Sequence, residues 1–124
     1  MEPVEYENAS EEVRAIFDDI KSARNVPDVN NFWKYLANDP RMLDHVWSAL
    51  KDVMGSGGHL DPVVKELIYI AVSITNGCEY CQVSHTAAAR KKGATDEMLK
   101  EMHAIVGLAN MTNRLATAYQ VPLD

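Results

Sequence analysis

Apolar residues recur at helical spacing along almost the whole chain, and nowhere do they alternate as a half-buried strand requires. From Ser10 to Ala23, Val13, Ile16, Phe17 and Ile20 form the buried stripe of an amphipathic helix, broken by Asn25-Val26-Pro27-Asp28. A short aromatic segment, Phe32 to Leu36, follows. Asp39-Pro40 combines a capping residue with proline at the first helical position, opening a helix that carries Leu43, Val46, Trp47, Leu50, Val53 and Met54. Gly55-Ser56-Gly57-Gly58 ends it. Asp61-Pro62 repeats the start signal for a helix through Leu67, Ile70, Ala71 and Ile74, which stops at Asn76-Gly77. Val and Ile are frequent there, but the run is too long and its spacing too helical for a strand. The next helix begins near Cys78 and runs to Gly93, expected as a left-handed cap. Thr95-Asp96-Glu97 opens the last helical region, Met98 to about Tyr119, with a bend expected at Gly107. The predicted fold class is all-α, a compact bundle of about six to seven helices.

At 124 residues the chain is expected to form a single domain, 1–124, with a core but no room for a second. A formal net charge of −6 argues against nucleic acid or an anionic membrane surface as partner, since both require a basic face. The apolar stretch from Leu67 to Ile74 is too short to span a bilayer. The acidic start, Met1-Glu2-Pro3-Val4-Glu5-Tyr6-Glu7, carries no secretory signal, so a cytoplasmic location is expected.

Against that background the chemistry concentrates in Glu66, Cys78, Cys81 and His85. The two cysteines are the only ones in the chain, and on a helix they share one face with His85. In a reducing compartment such a pair is catalytic, redox-sensing or metal-binding rather than a permanent staple. A thiol at a helix start meets free amides and the positive end of the helix dipole, which lower its pKa and make it a nucleophile. The Cys78–Cys81 spacing also allows a disulfide once one thiol is oxidised. His85, one turn beyond Cys81, is placed to accept a thiol proton. Glu66 returns to the pair if the helices turn back on each other at Asn76-Gly77. Buried there, its carboxyl is expected to have a raised pKa and to shuttle protons.

Rival assignments use the same residues. A structural zinc site would need Glu66 or His59 as a fourth ligand, and no second Cys/His pair exists to supply one. Covalent haem attachment would need histidine directly after Cys81, where Gln82 stands, and a thioredoxin-type motif would follow a strand. Two inert core thiols are a further alternative. His45, His59 and His103 are isolated and expected as surface or internally satisfied histidines rather than ligands. Trp33, Tyr35 and Trp47 are expected in the core rather than lining a substrate pocket. Met42, Met54, Met98, Met102 and Met111 are expected to fill gaps in helix packing, not to bind metal.

Taken together, Lys65-Glu66-Leu67, Asn76-Gly77-Cys78-Glu79-Tyr80-Cys81, His85 and the Arg90–Gly93 stretch resemble the alkylhydroperoxidase AhpD-like family, within the carboxymuconolactone decarboxylase superfamily. Glutamate twelve residues before the first cysteine and histidine four after the second match the family pattern, whose core here spans about 61–101. Asn113-Arg114-Leu115-Ala116 and Val121-Pro122-Leu123 also resemble the ends of peroxidase-related members. The resemblance implies an antioxidant thiol peroxidase acting on hydroperoxides; no cofactor or metal is expected. It implies Cys81 as the peroxidatic cysteine, Cys78 as its resolving partner, and His85 with Glu66 as the proton relay. It also implies a dithiol electron donor such as a lipoylated protein, and a homo-oligomer, trimer or hexamer, with Ala87-Ala88-Ala89 as a close-packing surface.

One position departs from the family pattern. Tyr80 stands between the cysteines where the best-known peroxidase has a second histidine, and tyrosine does not relay protons near neutrality as imidazole does. Tyr80 is thus at most an auxiliary residue, bonding within the site or covering the cysteine pair. Two other functions are weighed against peroxidase. One is a carboxymuconolactone decarboxylase-like enzyme, which the paired cysteines count against. The other is a non-catalytic redox sensor or binding module using the disulfide as a switch.

Overall fold

The computed structural model describes residues 1–124 and is all-helical. After a short 3-10 turn at Tyr6–Asn8 come α1 (Glu11–Arg24), α2 (Asn31–Leu36), α3 (Pro40–Met54), α4 (Pro62–Asn76), α5 (Glu79–Lys91) and α6 (Asp96–Ala118). No helix is long and apolar enough to cross a membrane. The chain divides into two compact units, Met1–Gly55 and Ser56–Asp124, each with its own apolar core.

In the first unit the stripe of α1 is buried as its spacing requires: Val13, Phe17 and Ile20 pack with Val29, Trp33, Leu43 and Trp47. Ser10 caps α1 by accepting from the Val13 amide at 3.3 Å, and Asp39 caps α3 by accepting from Met42 at 3.2 Å. Trp33 and Trp47 meet edge to face in this core, their centroids 5.4 Å apart. Tyr35, expected with them, is exposed instead. The Lys34 side chain, almost buried, is paired with Asp28 and Glu5 at 2.8 and 2.7 Å, and these carboxylates hold its ammonium well above the ordinary lysine value.

The second unit is built from α4, α5 and α6 around Ile70, Ala89, Ala94, Leu99, Met102 and Val106. Its geometry depends on how α4 hands over to α5. Gly77 takes the left-handed conformation (φ 72°), its amide bonds Ile74 O at 3.1 Å, and the Cys78 amide bonds Ser73 O at 2.9 Å. This is the Schellman pattern, and it delivers Cys78 directly into the capping position of α5. The far end of α5 closes the same way, through Gly93 (φ 102°) with Gly93 N to Arg90 O at 3.0 Å and Ala94 N to Ala89 O at 2.9 Å. Thr95 then caps α6 through Met98 N at 3.2 Å.

Several expectations change. The α6 helix continues without interruption through Gly107. Of the methionines assigned to packing, Met102 is in the core, whereas Met42 and Met111 are exposed. Ala89 lies fully buried in its own unit's core, so Ala87-Ala88-Ala89 does not form one free packing surface.

Candidate active site

Cys78 and Cys81 are joined in a disulfide with Cα atoms 5.3 Å apart, a separation ordinary for such a bridge. Cys78 is the N-cap residue of α5, and its sulfur accepts from the Cys81 amide at 3.3 Å. That amide is one of the unpaired donors at a helix start, so a thiolate released at Cys78 on reduction would meet both an N–H and the helix dipole.

One turn beyond Cys81, His85 meets α4. Its Nδ1 lies 2.7 Å from Glu66 Oε2, and Tyr69 stacks on the imidazole with centroids 3.6 Å apart and planes 19° from parallel. Glu66, Tyr69 and Ser73 follow one another at spacings of three and four, which places them on one face of α4. Ser73, also buried, donates its hydroxyl to Tyr69 O at 2.8 Å and receives the Cys78 amide on its own carbonyl. This face therefore holds the imidazole and anchors the turn that carries the cysteines.

Glu66 is a nearly buried carboxylate, its side chain 4% exposed, with both oxygens engaged. Oε1 accepts from Lys92 Nζ at 2.5 Å, while Oε2 faces His85. Burial is the largest single influence on this group and pushes its carboxyl upward. Hydrogen bonds from His85 and then Lys92, with the Lys92 charge, together hold it below the ordinary carboxylate range. The expected raised pKa is thereby corrected: Glu66 stays ionised and acts as a fixed acceptor. The physical reason is that two donors, His85 first and Lys92 with it, together outweigh the desolvation of the buried carboxylate.

The four residues named from sequence thus come together as two pairs on one helical hairpin, Cys78 with Cys81 and Glu66 with His85. The pairs are not hydrogen-bonded to each other, as befits the oxidised state, in which neither sulfur carries a proton. Tyr80 is half-exposed at the start of α5, and His45, His59 and His103 are exposed. A fourth zinc ligand does not emerge from Glu66, because its oxygens already serve an ammonium and an imidazole. Sequence reasoning missed Lys92 and Tyr69. Both were open to a periodicity search: Lys92 is seven residues, two turns, beyond His85, and Tyr69 is three beyond Glu66.

An all-helical hairpin that presents a CxxC disulfide at a helix start, beside a Glu–His pair, defines an AhpD-like class of protein. The chain belongs to the carboxymuconolactone decarboxylase family, whose pattern matches residues 40–124, and within it is AhpD-like. It is similar over its whole length to the crystal structure of the alkylhydroperoxidase AhpD core from Rhodospirillum rubrum, with TM-score 0.90 and 47% identity, covering 95% of that chain. It is 30% identical to alkyl hydroperoxide reductase AhpD of Solibacter usitatus over 107 residues, 84% of this chain and 58% of that protein. It is also 37% identical to uncharacterized protein 4 in the cox locus of Paracoccus denitrificans over 59 residues, 48% of this chain and 53% of that one. In these two curated relatives the matched stretch spans a little over half of the relative's length.

Proposed function

We propose that the chain is a thiol peroxidase that reduces hydroperoxides through a Cys78/Cys81 dithiol–disulfide cycle, with His85 moving protons and Glu66 orienting His85. The observation that carries this is the disulfide at the start of α5, one turn from an imidazole held by an ionised carboxylate. The peroxidase names of the Rhodospirillum and Solibacter relatives support it.

In the reduced protein His85 takes the Cys81 proton. The Cys81 thiolate attacks the terminal peroxide oxygen, the O–O bond breaks, and the leaving alkoxide takes a proton from His85 to depart as alcohol. Cys81 is now a sulfenic acid. The Cys78 thiolate, favoured by the Cys81 amide and the helix dipole, attacks the Cys81 sulfur; the S–O bond breaks, the leaving hydroxide takes the proton that Cys78 gave up to His85 and departs as water, and the disulfide forms. A dithiol donor such as a lipoyl group then reduces the bridge by two thiol–disulfide exchanges, becoming a disulfide itself. With both of its oxygens held, Glu66 is not the proton carrier in this cycle.

The proposal extends to a homo-oligomer working in the cytoplasm, where a thiol donor pool is available. The exposed apolar residues Ile105, Leu108, Met111 and Leu115 recur along one side of α6 and are a surface such an assembly would cover. Trapping tests the assignment of roles. Cys78→Ser treated with one equivalent of hydroperoxide should accumulate a sulfenic acid at Cys81, detected by a dimedone adduct in mass spectrometry. An adduct that forms only in Cys81→Ser, on Cys78, would reverse the two roles.

A further inference from the structure

We infer that Lys92 is a positioning residue of the redox site, holding the Glu66 carboxylate so that His85 is fixed as an Nδ1–H donor with Nε2 free to accept a proton. The inference rests on the dithiol function proposed above for its significance, but its geometry stands on the Glu66 contacts alone.

Glu66 is an almost buried carboxylate with one donor on each oxygen, Lys92 Nζ at 2.5 Å and His85 Nδ1 at 2.7 Å. His85 and Lys92 are two turns apart on the α5 side, a rise of about 10 Å, so the long lysine stem must reach back toward Glu66. Its backbone is well anchored for that task. The Lys92 amide bonds Ala88 O and Ala89 O at 3.1 and 3.0 Å, and the Gly93 turn follows directly. The side chain remains about one-third exposed, so the ammonium is partly hydrated.

Two consequences follow from chemistry. An ionised carboxylate only accepts hydrogen bonds, so Nδ1 must carry the proton in the Glu66–His85 bond and Nε2 keeps its lone pair when the ring is neutral. Second, a buried carboxylate needs a balancing positive charge. Lys92 supplies it, which releases His85 from serving as an imidazolium counter-ion. Without Lys92 the carboxylate would draw a proton onto His85, and an imidazolium has no lone pair with which to accept one from a thiol.

The test uses the full chain, with Lys92→Met and Lys92→Arg prepared alone and with Glu66→Gln. Long-range proton–nitrogen NMR of the oxidised protein at pH 7 reads the His85 ring, and iodoacetamide alkylation of the reduced protein across pH reads thiol reactivity. Wild type should show neutral His85 protonated at Nδ1, whereas Lys92→Met should show imidazolium signals. In Lys92→Met the rising limb of the alkylation profile should move about one unit to higher pH, about tenfold in rate on that limb. Lys92→Arg should restore both readouts, and adding Lys92→Met to Glu66→Gln should change neither further. Wild-type His85 protonated at Nε2, or Lys92→Met with wild-type ring signals, would overturn the inference; the first needs no variant to fold. Cysteines that prove unreactive in wild type would remove the dithiol function, while the ring signals would still decide what Lys92 does.

Discussion

Lys92 Nζ and His85 Nδ1 meet opposite oxygens of the same carboxylate, Glu66, at 2.5 and 2.7 Å. Neither contact alone would make this buried acid a reliable acceptor. Burial favours its protonation, and a single donor would leave the carboxylate plane free to turn. With both contacts it is ionised, held in plane, and turned toward the imidazole that lies one turn from Cys81.

Glu66→Gln is expected to leave the fold intact but cost about 1–2 kcal/mol at neutral pH, because it removes the charge from two hydrogen bonds. Glu66 titrates lower in the folded protein than in the unfolded chain. Its contribution is therefore present above the unfolded carboxylate range and is lost in acid, as pH falls below that range through the lower folded value. Urea unfolding should accordingly show a gap between wild type and Glu66→Gln at pH 7 that narrows in acid. A gap that stays constant would show that the charge of Glu66 is not what stabilises this unit.

Tyr69 packs its ring flat on His85, at 3.6 Å between centroids. Tyr69→Phe keeps that surface and should retain thiol alkylation rates within about twofold, whereas Tyr69→Ala should slow them roughly tenfold through a misplaced imidazole. Equal rates in the two variants would mean that the ring does not position His85. A loss in Tyr69→Phe as large as in Tyr69→Ala would point to the hydroxyl instead.

Gly77 sits at φ 72° with open space where a Cβ would project. Gly77→Ala should therefore cost about 1–2 kcal/mol through backbone conformation alone, with no steric clash to add to it. The urea midpoint measures this directly, and an unchanged or higher midpoint would contradict the left-handed turn between α4 and α5.

The helices were legible because their boundaries are written in local chemistry. Ser10, Asp39 and Thr95 cap as their side chains allow, and Gly77 and Gly93 end helices where only a left-handed residue fits easily. The same logic brought Glu66 back to His85, since a turn at Asn76-Gly77 lays α4 against α5. What stayed hidden depended on side-chain reach and burial. Lys92 reads as an ordinary cation at a helix end, and only its position after two turns of α5 shows that it reaches Glu66. The direction of the Glu66 pKa differs from the expectation because burial is suggested by sequence, but the combined strength of the His85 and Lys92 hydrogen bonds that offset it is not. Tyr35 and Met111 stand at helical spacing like core residues, yet both are exposed; periodicity marks a face without saying what covers it.

The central claim is tested most directly by steady-state hydroperoxide consumption with reduced protein and excess dihydrolipoamide, using Cys81→Ser as control. The account predicts many turnovers per protein molecule in wild type, and none above background in Cys81→Ser. A single stoichiometric burst in wild type, or sustained turnover that survives the loss of Cys81, would contradict it.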